Sequence, residues 1–200
     1  MIISVIFVLL FLAFLMGIIL VPKIDGKINM IKVAVMGIMA IFCYQSFWAF
    51  MFQLVGIPVN LKSTCISMAA AVLLLWGMII KKKKMQRIFV RITDIAVLAV
   101  LAGIVIAVSL HMFTPYLRLS YINSDPANHF NDAMVIVKQG VLGKHIYFSA
   151  FVNAMFIEIF SPILIVSKYY KAFIFADIFM HVLEVWMCYV LMLTVSEKKI

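Results

Sequence analysis

Six apolar runs, at about residues 2–21, 31–55, 64–80, 93–113, 147–166 and 172–194, dominate this chain and constrain what it can fold into. Each approaches the roughly 20 apolar residues that a helix needs to cross about 30 Å of hydrocarbon. A water-soluble core cannot absorb them. Of the 200 residues, 66% are hydrophobic and 12% charged, against roughly 45–50% apolar and 25% charged in globular chains. The solvent for this surface is lipid, where backbone N–H and C=O groups find partners only in helices or closed barrels. The runs are about twice the length of a barrel strand and show no period-2 alternation. The expected fold is therefore all-α, a polytopic integral membrane bundle of about six transmembrane helices in one membrane domain. Four helices fall in residues 1–113, a long loop in 114–146, and two further helices with a short tail in 147–200.

The formal net charge of +9 does not point to nucleic acid. A third of the basic residues sit in one stretch, Lys81 to Lys84 with Arg87 and Arg91, between two apolar runs. That placement is a cytoplasmic anchor under the positive-inside rule, within reach of anionic headgroups. With Pro22–Asn29 also inside, eleven of seventeen basic residues are cytoplasmic, among them Lys168 and Lys171 in the turn between the last two runs. Four lie outside and the last two are in the tail. The expected protein is a multi-pass component of the plasma membrane with its N-terminus and the 114–146 loop outside. The tail breaks the rule mildly, as it would if the chain were the front part of a longer one. Residues 1–20 lack the basic start and small-residue cleavage site of a signal peptide and read as a retained first span. Cys43, Cys65 and Cys188 lie in apolar runs and read as packing residues.

Only the segment from Thr114 to Ile146 is long and polar enough to hold chemistry. Ser124-Asp125-Pro126 is a helix start, with Asp125 able to accept from the free N–H groups of the first turn. Lys138 and Gln139 before Gly140 mark its stop. The expected helix covers about 126–139, with Phe130, Met134 and Val137 on one side, suited to lying along the membrane surface. Asp125, His129 and Asp132, spaced i, i+4, i+7, share a face. Two carboxylates and an imidazole can hold a divalent cation or act as a base with its orienting partner. The plainer reading makes Asp125 a cap and leaves the other two solvated, both acids favoured by the helix dipole.

The string Tyr121-Ile-Asn-Ser-Asp-Pro-Ala-Asn-His-Phe130, between a span and an interface helix, resembles the first large periplasmic loop of GT-C type membrane glycosyltransferases. The resemblance covers about residues 95–170 and implies a truncated or divergent member of that family. It implies that Asp125 is the catalytic base toward an acceptor, with sugar drawn from a polyprenyl-phosphate donor. Arg118 and Lys144 then face the anionic leaving group. Tyr121, with Tyr116 and Tyr147, can stack on a sugar, although tyrosines at such positions also serve as interface anchors.

A second polar group lies inside the apolar runs: Glu158 in the fifth, and Asp177, His181 and Glu184 on one face of the sixth. A charge near the bilayer centre costs roughly 2.5–3.5 kcal/mol even on the insertion scale, so partners are expected, and Glu158 is placed to meet His181 or Glu184. Such a group can relay protons or simply bind helices together. Three functions follow: a lipid-linked sugar transferase, a proton-coupled transporter or export component, and a structural subunit of a membrane assembly. Paired halves with matching Gly or Pro breaks, the usual mark of a transporter, are not visible, and the transferase reading leads. Nucleotide, haem and P-loop motifs are absent.

Overall fold

The computed structural model describes residues 2–21, 27–81, 87–113, 125–142 and 148–197. Among these the regular structure is helical apart from one short strand pair. The helices are α1 (Ile2–Leu20), α2 (Met30–Leu54), α3 (Leu61–Lys81), α4 (Ile92–Phe113), α5 (Asp125–Gln139), α6 (Phe148–Phe160) and α7 (Tyr169–Glu197). Four segments are long and apolar enough to cross a membrane: Met30–Leu54, Leu61–Met78, Ile92–Met112 and Val166–Ser196. Their outward faces carry Leu73, Leu74, Val100 and Ile104, all exposed, as a lipid-facing surface requires.

α1 and α2 pack as a close antiparallel hairpin, and small residues make that approach possible. Gly17 lies against the Val33 backbone and Gly37 against the Ala13 backbone, so near that a Cβ on either would overlap a carbonyl oxygen.

The connections into α2 and α4 meet as two strands, β1 (Lys27–Asn29) and β2 (Arg87–Phe89). They pair in parallel, with Lys27 opposite Arg87 and Asn29 opposite Phe89. Both strands lead into a helix in the same direction, which makes the pairing parallel. Asn29 then does two jobs: its Oδ1 accepts from Ile31 N (2.9 Å) to cap α2, and its Nδ2 donates to Asp94 Oδ2 (3.2 Å) in the first turn of α4. Tyr189 of α7 donates to the other Asp94 oxygen (3.0 Å), and Trp186 Nε1 donates to Leu98 O (2.9 Å).

Those two contacts correct the expected direction of the last helix. The end of α7 lies beside the start of α4, so α7 begins at the opposite end of the bundle, where α2 passes into α3. The expected fifth span over 147–166 is also revised. α6 stops at Phe160, about 20 Å long at 1.5 Å per residue, because Pro162 pushes Ser161 out of helical geometry and a turn follows. α6 and α7 form a hairpin, with the Phe156 and Phe160 rings against Phe175. Lys168 and Lys171 thus stand at the α2–α3 end, not at the end where α3 finishes with Lys81.

Candidate functional site

The polar residues that sequence reasoning split into two groups are partly brought together. α5 does not float on the surface. It packs on α6 through Ala133 and Ile136, both fully buried, and the Phe130 ring meets Phe173 of α7 edge-on (5.5 Å). Phe130, Met134 and Val137, expected to face lipid, face the core instead. Gly140 ends α5 as expected, with φ at 67° and its N–H on Ile136 O (2.8 Å). Its carbonyl accepts from Val59 N (2.7 Å), and Gln53 of α2 holds both backbone groups of Leu142. These bonds pin the far end of α5 to the α2–α3 turn.

Docked this way, His129 of α5 comes within electrostatic reach of Asp177 on α7, whose own helix supplies His181 one turn on. Asn153 of α6 stands beside the same carboxyl. It is 1% exposed, yet neither of its amide atoms attains hydrogen-bond geometry with a described group. An acid within electrostatic range of two imidazoles, beside a buried amide, can exchange a proton. This is the candidate site. Asn153 is the residue that sequence reasoning missed, and its signal was modest: a lone amide among the apolar residues of 147–157.

The remaining expectations divide. Glu158 meets neither His181 nor Glu184. Its Oε2 accepts from Leu61 N at the start of α3, where Asn60 Oδ1 also accepts from Lys62 N (3.0 Å) and Ser63 N (3.1 Å). The carboxylate is a helix cap, satisfied by the free N–H of Leu61 and by the positive end of the α3 dipole. Its turn of α6 faces α3 rather than α7, which is why the expected pairing fails. Glu184 instead lies 3.4 Å from His181, and both are exposed. Asp132 is half-buried on α5.

Arg118, Tyr121 and Lys144 lie outside the described residues, as does the side chain of Asp125, whose backbone opens α5. Among the described residues no group of three or more His, Cys, Asp or Glu is placed to hold a metal ion. The expected trio of Asp125, His129 and Asp132 includes a side chain beyond that description.

No family model matches the chain, and no curated protein or solved structure matches it either.

Proposed function

We propose that this is a multi-pass plasma-membrane enzyme, a GT-C-like glycosyltransferase that moves sugar from a polyprenyl-phosphate donor to a cell-envelope acceptor. The observation that supports the reading is the docking of α5, which brings His129, one helical turn after Asp125, within electrostatic reach of Asp177. In the reaction the acceptor oxygen bonds to the anomeric carbon as the bond from that carbon to phosphate breaks. Asp125 takes the acceptor proton, and polyprenyl phosphate leaves with the electron pair. Arg118 and Lys144 offset the charge on the leaving phosphate, and Tyr121 lies against the sugar. Asp177 acts on His129 through its charge. A divalent cation at Asp125, His129 and Asp132 belongs to the same proposal, and no step depends on it.

The six apolar runs cross or enter the membrane with the β1–β2 end in the cytoplasm and the α5 end outside. Reversing α7 leaves that sidedness in place. Assigned by sequence order along this topology, eleven basic residues, including Lys198 and Lys199, belong to the cytoplasmic side and six to the outside. The tail no longer breaks the positive-inside rule. In intact cells Asn131→Cys should react with a membrane-impermeant thiol reagent, while Gln86→Cys and Lys199→Cys should not. Labelling of Lys199→Cys together with Asn131→Cys would overturn the direction of α7.

The electrostatic influence of two imidazoles on Asp177 favours a second reading, a proton-coupled transporter. One reconstitution separates the two. Vesicles holding the full chain should form labelled glycan from a polyprenyl-phosphate sugar and an envelope acceptor, with no acidification under a pH gradient. Proton uptake that Asp177→Asn abolishes, without any glycan product, would replace the transferase by the transporter.

A further inference from the structure

A partly open cavity of about 320 Å³ lies among α1, α2, α3, α6 and α7. It is roughly twice the ~150 Å³ apolar cavity that accepts a benzene ring. Its walls are apolar, from Leu9 and Leu10 of α1 to Met155 and Phe156 of α6, and hold no charged side chain. Gln45 and Thr64 are its polar lining residues.

The Thr64 hydroxyl is occupied by the Asn60 carbonyl (2.9 Å) and Met155 Sδ (3.2 Å). Gln45 is different. It is 4% exposed, and its Oε1 accepts from Ser67 Oγ (2.8 Å). Its Nε2 group has no partner among the described residues. A buried amide donor left open at an apolar wall is costly unless something in the cavity accepts from it. Water is a poor occupant, because it needs two to four polar partners in such a place and this wall offers one. A charged lipid head is equally poor, with no countercharge on the lining.

We propose that this cavity binds a neutral long-chain lipid, its hydrocarbon chain against the phenylalanines and leucines and its single oxygen function accepting a hydrogen bond from Gln45 Nε2. Membrane lipid reaches the cavity beside Leu10, which lines it and is also exposed on the outer surface of α1. The site does not depend on the transferase reading, since it uses neither Asp125 nor the His129 group.

The test uses the full chain in phosphatidylcholine vesicles and two photoreactive diazirine probes of equal chain length, one a fatty alcohol and one the alkane. The alcohol should label peptides containing Met155 or Met68 more strongly than the exposed α4 face around Ile104. Gln45→Leu should lower that labelling about threefold to tenfold, the worth of one neutral hydrogen bond, while leaving alkane labelling unchanged. Leu10→Trp, an exposed position where the fold is not at stake, should lower labelling by both probes. Equal labelling by the two probes, or insensitivity to Gln45→Leu in a folded variant, would overturn the amide's part. Labelling no stronger than at α4, or unmoved by Leu10→Trp, would overturn the site.

Discussion

If the chain is the proposed transferase, Asp125→Asn is expected to reach the membrane in wild-type amount and to transfer sugar roughly two to four powers of ten more slowly, the usual worth of a positioned base. Asn caps a helix about as well as Asp, so the start of α5 survives the change, but its amide cannot take the acceptor proton. Asp125→Ala removes both roles and should cost about 1 kcal/mol of stability as well. Rates come from the vesicle assay and protein amounts from quantitative blotting of the same preparations. Full transfer by the Asn variant would show that Asp125 serves only as a cap, and the base would then be sought at Asp132.

The second large effect is structural. Gly37→Ala and Gly17→Ala each place a methyl group where a backbone carbonyl of the partner helix already stands. Backbone cannot move aside as a side-chain tip can, so α1 and α2 must separate along their length. The loss should reach about 3 kcal/mol, near the upper end of overpacking costs, and lower the melting midpoint in detergent by roughly 6–12 °C. Gly77→Ala and Gly103→Ala are the matched controls, because a Cβ at either meets nothing within 4 Å. They should be neutral or gain up to about 1 kcal/mol from better helix propensity. A Gly37→Ala midpoint equal to that of Gly103→Ala would refute the close packing of the hairpin.

What the sequence made legible was local. The apolar runs at 31–55, 64–80 and 93–113 reappear as α2, α3 and α4 because length and composition alone place a helix in lipid. The Asp-Pro start and Gly140 stop located α5 to within a residue, since caps act on neighbouring backbone groups. The end of α6 is also legible at Pro162, although Ile163–Val166 restores the apolar character beyond it. Other features carry no local mark. Glu158 caps a helix that begins ninety-seven residues earlier in sequence. An acid in an apolar run signals that a partner is needed and says nothing about which free N–H group supplies it. The meeting of His129 with Asp177 depends likewise on the docking of α5, which follows from the total burial of Ala133 and Ile136. A helical-face reading of α5 places Ile136 next to Phe130 and Met134 without saying whether lipid or protein covers them.

The β1–β2 pair bears on how the protein is made. The two strands are sixty residues apart, from Lys27 to Arg87, so at translation speeds of about 5–20 residues per second β1 waits roughly 3–12 s for its partner. Through that interval the nascent α1–α2 hairpin carries an open strand edge, with the Asn29 amide still lacking Asp94. The edge closes only when the start of α4 is synthesised. Chains halted before Arg87 therefore lack both the β2 partner of β1 and the Asp94 acceptor of the Asn29 amide, two contacts that only synthesis of the start of α4 supplies.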